Sequence, residues 1–157
     1  MKKTILVLIL ATVFLTAGPA SAFEDYYLIS GNDCFSTTSG EEAHYSQWGA
    51  GAAGTALDVT CPLMLTDWNF AHAYITVRGY NRSSSDHISC TISNSKAGGS
   101  DETSATAYLP YDSWSFQSAS AQIQPTDAEY VSLMCHLPAY ATGDSHLTSI
   151  LVKITDY

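Results

Sequence analysis

From His72 to Tyr80 polar residues alternate with apolar or small ones without a break. Ala73, Ile75, Val77 and Gly79 fall to one side, and His72, Tyr74, Thr76, Arg78 and Tyr80 to the other. A period of two is what a strand with one buried face requires, and it is incompatible with an amphipathic helix over the same residues. The pattern recurs. His87–Ser93 gathers Ile88, Cys90 and Ile92; Thr55–Cys61 gathers Leu57, Val59 and Cys61; Glu129–Leu137 gathers Val131, Leu133, Cys135 and Leu137; Leu147–Ile154 gathers Ile150, Val152 and Ile154. Weaker strands are predicted near His44–Trp48, Ser104–Leu109 and Ser115–Ile123. Strong helix formers are scarce beside Ser, Thr, Tyr and Gly, and no run of useful length carries a helical period.

Pro62 and Pro138 close two of these strands. Loops are expected at residues 49–54, 94–103, 110–113, 124–128 and 138–146, and the polar cluster Asn81–Asp86 reads as a turn. That turn makes His72–Tyr80 and His87–Ser93 a hairpin. Its register would set Val77 opposite Ile88, Ile75 opposite Cys90, and Arg78 opposite His87. The whole is about eight short strands at the spacing of an all-β fold. With no repeat and no linker, the expectation is a single antiparallel β-sandwich, each strand burying one face.

The N-terminus reads as a cleaved signal peptide. Lys2 and Lys3 precede an uncharged apolar run, Ile5–Ala17; Gly18 and Pro19 break it, and Ala20-Ser21-Ala22 supplies the small residues of a cleavage site. Residues 1–22 are therefore expected to be removed, leaving residues 23–157 as one domain of 135 residues that is secreted or periplasmic. This mature part carries Arg78, Arg82, Lys96 and Lys153 against fifteen acidic residues, a balance of −11. Such a net charge repels phosphate backbones and anionic lipid heads, so nucleic acid and membrane surfaces are excluded as partners.

Cys34, Cys61, Cys90 and Cys135 all lie in the mature part, and an even count in an exported chain implies two disulfides. They are too widely spaced for a zinc ribbon or knuckle. The strand layout favours Cys34–Cys61, tying the N-terminal loop to a strand, and Cys90–Cys135, joining two core strands; spacing leaves the other two connectivities open.

The order of these features resembles a loose group of small secreted bacterial proteins of unknown function. The resemblance rests on an early Cys34, then Ala56-Leu57-Asp58-Val59-Thr60-Cys61-Pro62, Ile75-Thr76-Val77, Ile88-Ser89-Cys90-Thr91-Ile92, Tyr130–Pro138 and Ile150-Leu151-Val152-Lys153-Ile154. It implies export, a disulfide-stapled β-sandwich and no particular activity.

Chemistry-bearing motifs are few. His44, His72, His87, His136 and His146 form neither His-x-His nor His-Glu-x-x-His, and no metal or other cofactor is expected on their account. Calcium has better-suited ligands in acidic loops, namely Glu41-Glu42, Asp101-Glu102 and Asp144, although none has EF-hand spacing. No Gly-x-Ser-x-Gly elbow is present, and residues 49–54 lack the Lys-Ser/Thr of a phosphate loop. A small hydrolase is accordingly the last-ranked reading.

Ten tyrosines and three tryptophans are the most suggestive feature. Trp68 stands between Asp67 and Asn69, Trp114 lies near Tyr111 and Asp112, and Tyr140 lies near Asp144. An aromatic face beside carboxylates and amides suits a pyranose ring, which offers one apolar face and a rim of hydroxyls. The first expectation for function is therefore a glycan-binding module using these eight loop residues. The second is a protein-binding or inhibitory extracellular module.

Overall fold

The computed structural model describes residues 24–37, 43–52, 54–63, 72–95, 101–110, 117–124, 130–139 and 145–155. The expected signal segment, residues 1–22, lies outside them. The elements in chain order are β1 Glu24–Ser30, a single 3-10 turn Gly31–Asp33, β2 Phe35–Ser36, β3 His44–Ser46, β4 Gly49–Ala52 and β5 Leu57–Thr60. They continue with β6 His72–Tyr80, β7 Ile88–Ser95, β8 Asp101–Leu109, β9 Gln117–Ile123, β10 Tyr130–Leu137 and β11 Ser145–Thr155. Two antiparallel sheets form a sandwich. Sheet A runs β3-β4-β11-β6-β9, with β1 also on β11; sheet B runs β2-β5-β10-β7-β8. No helix among the described residues is long and apolar enough to cross a membrane.

Inward faces follow the alternation. Ala73, Ile75 and Val77 of β6 and Ile150, Val152 and Ile154 of β11 pack against Ile88, Ile92, Leu133 and Leu137 of sheet B, nearly all without solvent contact. Eleven strands are seen among the described residues, against about eight expected. Two of the additions, β1 and β2, lie ahead of the first expected strand. The third, β4, falls where a loop was expected: Gly49-Ala50-Gly51-Ala52 is a strand buried on both faces. Small side chains let it lie close under its neighbours. A Cβ on Gly49, whose φ is +115°, or on Gly31 would collide with the Leu147 carbonyl oxygen.

β11 organises sheet A. One edge pairs with β6 along its length; the other is shared end to end by β4, at Ser145–Leu147, and β1, at Ser149–Thr155. A bulge at Thr148 interrupts the β6 ladder. That extra residue lets Leu147 and Ile150 both point into the core although they are three apart.

The expected β6–β7 hairpin is corrected by the structure. β6 belongs to sheet A, where Val77 pairs with Ile150 and Ala119, and β7 belongs to sheet B, where Ile88 pairs with Leu109. Alternation tells which face of a strand is buried, and two strands facing each other across the core satisfy it as well as two neighbours in one sheet. Residues 81–87 therefore arch between sheets. Asn81 anchors the arch from a fully buried position: its Nδ2 donates to the carbonyls of Asp86 and Leu109, and its Oδ1 accepts from Ser83 N and Ser145 Oγ. Nor does Arg78 face His87. Arg78 pairs with Ser149 and Ser118, while the His87 ring stands edge-on to Tyr108.

Both disulfides have the favoured pairing, Cys34–Cys61 with S–S 2.03 Å and Cys90–Cys135 with S–S 2.08 Å. Both lie within sheet B. Cys90 and Cys135 are direct cross-strand partners, and Cys34 and Cys61 flank the paired ends of β2 and β5. All four cysteines are buried, so the bridges are part of the core.

Candidate functional site

At one end of sheet A the outward side chains of β6 and β11 meet the β3–β4 turn. Tyr80 and His146 are cross-strand partners, and both point away from the core because their neighbours Gly79 and Leu147 are buried. Trp48 sits in the turn, half-exposed at 52%, with its indole edge-on to Tyr80: the ring centroids are 6.2 Å apart and the planes cross at 81°. Arg82, just beyond β6, completes the lining. The four residues enclose an open cleft of about 330 Å³.

Several contacts hold this arrangement. The Trp48 amide donates to Ser46 Oγ at 3.1 Å, and Thr148 Oγ1, from the bulge, donates to the Trp48 carbonyl at 2.8 Å. Asn32 Nδ2 reaches the Ser46 carbonyl at 3.0 Å and ties the turn to the 3-10 segment. The Arg82 amide donates to Ser145 Oγ, which in turn donates to Asn81, so the cleft is bonded to the buried arch. The His146 ring packs beside Gly51; a Cβ there would lie 2.9 Å from Nδ1. An aromatic edge, an aromatic wall, a guanidinium and an imidazole thus converge on one concavity from three segments of chain.

A second cleft, of about 410 Å³, opens near the other end of β6, between β9, the edge strand of sheet A, and β8, the edge strand of sheet B. It is lined by Thr103, Ser104, Gln122, Ile123 and Gln124. Gln124 Nε2 donates to His72 Nε2 at 2.7 Å, and the His72 and Tyr74 rings stack 6.1 Å apart.

On the outer face of sheet B, His136 lies between two carboxylates. Its Nδ1 donates to Asp58 Oδ1 at 2.8 Å, and its Nε2 stands 3.5 Å from Asp86 Oδ2. Ser89 is its cross-strand partner on the same row. This row resembles a nucleophile triad in composition, but the second carboxylate occupies the ring nitrogen that would have to serve the serine. The carboxylates also flank the imidazole on opposite sides and do not converge on a point. Among the described residues no group of three or more His, Cys, Asp or Glu side chains is gathered to hold a metal ion.

The eight residues singled out from sequence, Asp67, Trp68, Asn69, Tyr111, Asp112, Trp114, Tyr140 and Asp144, all lie outside the described residues, as do Glu41 and Glu42. Asp101 and Glu102, read as loop ligands for calcium, belong to β8. Trp48, Tyr80, Arg82 and His146 were not singled out. They are scattered in sequence, and the available signal was that Trp48 and Tyr80 close the two runs expected to be strands, His44–Trp48 and His72–Tyr80.

No family model matches the chain, and no curated protein matches it. The β-sandwich implied by the sequence resemblance is the fold observed, but the group itself has no matching model. Among solved structures the chain is similar to "CBM35 from Cellvibrio japonicus Abf62", at 14% identity over 82% of this chain and 92% of that one, with a TM-score of 0.47.

Proposed function

We propose that the chain is an extracytoplasmic binding module that holds a saccharide in the cleft of Trp48, Tyr80, Arg82 and His146. The observation that carries this reading is the half-exposed Trp48 indole braced edge-on against Tyr80 at the mouth of a cleft whose other walls are hydrogen-bonding side chains. A sugar ring lays its C–H face on an aromatic surface and spends its hydroxyls on polar neighbours. A volume of about 330 Å³ is at the small end of ligand sites and suits one or two rings. Two buried disulfides fit an oxidising compartment, which supports the secreted or periplasmic placement.

With few fully desolvated hydrogen bonds, affinity should be modest, with dissociation constants roughly between micromolar and millimolar. The test is titration with a glycan panel of the wild type and of Trp48→Ala, Trp68→Ala and Trp114→Ala. Loss of binding in Trp48→Ala, with the fold retained, supports the cleft. Loss in Trp68→Ala or Trp114→Ala alone moves the site to the loops singled out from sequence. If no glycan binds the wild type, the saccharide reading fails.

A further inference from the structure

Among the described strands β1 pairs with β11 alone, residue for residue from Glu24 opposite Thr155 to Ser30 opposite Ser149, with no bulge. A groove of about 400 Å³ follows its other edge. Tyr26, Tyr27, Leu28 and Ile29 all line it, although successive residues of a strand point to opposite faces. Four consecutive residues share one groove only where it runs along the backbone edge of their strand. Pro62 and Leu63, just beyond β5, form the opposite wall, and Asp33 stands at the Ser30 end, where it accepts from the Ser30 amide.

A strand edge offers its N–H and C=O groups to any other extended chain, and edges that do not pair are commonly short, bulged or furnished with Lys or Pro. The edge strands β2 and β3 are two and three residues long. β1 is seven residues long, Glu-Asp-Tyr-Tyr-Leu-Ile-Ser, without Lys or Pro. Tyr26 and Leu28 project from its outer face, 57% and 70% exposed, and Leu28 is the most exposed large apolar side chain among the described residues. The acids of the strand, Glu24 and Asp25, stand together at one end, and Glu24 is paired with Lys153 Nζ at 2.6 Å.

We infer that β1 pairs antiparallel with β1 of a second copy of this chain, about a twofold axis at Tyr27. Full overlap of the seven residues sets Tyr27 opposite its own copy and Tyr26 opposite Leu28, once on each side of the axis. Every outward residue then meets an outward residue, as a continuous sheet requires, and a slip by one residue would set outward against inward. The exposed Tyr26 and Leu28 of each copy cover those of the other. Antiparallel pairing also holds Glu24 and its copy about 20 Å apart, whereas parallel pairing would set like charges side by side. The six-stranded sheets A of the two copies become one, with both Trp48 clefts opening on the same side. The pairing brings each Asp25 towards the other copy's Asp33, and each mature chain carries a balance of −11, so screening by salt should strengthen association.

The test is sedimentation of the mature protein over a range from roughly micromolar to millimolar, at low and high salt. A reversible dimer is expected, tighter at high salt, with amide exchange along β1 slowing as concentration rises. Isotope-filtered NMR on a mixture of labelled and unlabelled protein should show the Tyr26 ring of one copy against the Leu28 methyls of the other, a readout that needs no variant. Leu28→Lys, checked by thermal denaturation, should weaken the dimer about tenfold or more; if that variant unfolds, the wild-type contacts decide. A monomer throughout the range overturns the pairing. A dimer that Leu28→Lys leaves intact, or one without Tyr26–Leu28 contacts, overturns it too, since its interface lies elsewhere. Amides of β1 equally protected at every concentration mean that another segment of the same chain lies on this edge, which likewise overturns it. None of these outcomes bears on the saccharide reading, which rests on a different surface.

Discussion

The imidazole of His146 fills the space that a side chain on Gly51 would take: a Cβ at Gly51 would lie 2.9 Å from Nδ1 and 3.1 Å from Cε1. Glycine at this strand position is therefore what lets His146 lie in toward β4 and form a wall of the cleft. Gly51→Ala should push the ring aside, since the ring can move more readily than the backbone. The expected outcome is a fold retained at a cost of ~1–3 kcal/mol and a measurable fall in ligand affinity. Histidine-selective NMR on the variant would show the displaced ring; unchanged His146 signals would contradict the placement.

Trp48 should behave as a surface residue and not as a core tryptophan. Trp48→Ala is expected to cost under ~1 kcal/mol of stability and ~1–3 kcal/mol of saccharide binding. Leu133→Ala, at a fully buried position, gives the scale for a core change, ~2–5 kcal/mol. Denaturant titration of the two variants side by side checks this, and a Trp48→Ala midpoint as low as that of Leu133→Ala would refute it.

The buried arch makes a sharper stability prediction. Asn81→Ala strands the carbonyls of Asp86 and Leu109 and removes the acceptor of Ser83 N and Ser145 Oγ. Unsatisfied buried groups of this kind should cost roughly 2–4 kcal/mol. Because Ser145 Oγ also holds the Arg82 amide, ligand affinity should fall along with stability, a coupling that chemical denaturation and titration of one sample would reveal.

The Glu24–Lys153 pair predicts a pH window. The Lys153 hydrogen bond, helped by the Tyr26 hydroxyl, lowers the Glu24 pKa below 4.5, and the Glu24 hydrogen bond raises Lys153 above 10.5. For a lowered acid, the stabilising contribution is present above the unfolded value and is lost as pH falls through the folded one. For a raised base, it is present below the unfolded value and lost as pH rises through the folded one. The attachment of β1 to β11 should therefore be firmest between those limits. Carboxyl NMR titration should show Glu24 moving upward in Lys153→Met; an unmoved midpoint would show that the pair does not form in solution.

Reduction should matter unequally. In the loop-entropy account Cys90–Cys135, with a separation of 45, contributes ~4 kcal/mol, and Cys34–Cys61, with 27, contributes ~3.5 kcal/mol. The paired variants Cys90→Ala/Cys135→Ala and Cys34→Ala/Cys61→Ala, unfolded in urea, give the comparison. Greater loss from the shorter loop would assign the difference to packing around the bridge.

Much of this fold could be read from side-chain periodicity, and its failures share one cause. The bounds of β6 and the buried sides of β5, β6, β7, β10 and β11 follow from alternation, because burial of one face dictates residue type at every second position. Strand partners do not follow from it, which is why β7 was set beside β6 and not across the core. β4 escaped because glycine and alanine carry no face preference, and their smallness is set by His146 and the Leu147 carbonyl, both distant in sequence. The cleft escaped for the same reason. Trp48, Tyr80, Arg82 and His146 stand out nowhere in the sequence, and only the registers of β4 and β6 on β11 bring their three segments together.

The placement of β11 has a consequence for how the molecule comes into being. β1, β4 and β6 all pair with β11, and a long stretch of chain separates Glu24 from Thr155, the residue it pairs with. Sheet B has no such dependence, since β5, β7, β8 and β10 all precede β11. As the polypeptide emerges, sheet B can assemble while sheet A waits as two pairs, β3–β4 and β6–β9, and a lone β1 for the strand that joins them. A chain cut short before Ser145 would leave the Ile75–Val77 side of the core uncovered and the Trp48 cleft unbuilt. β11 therefore couples the two tasks: the strand that closes the core of sheet A is also the strand that brings His146 beside Tyr80.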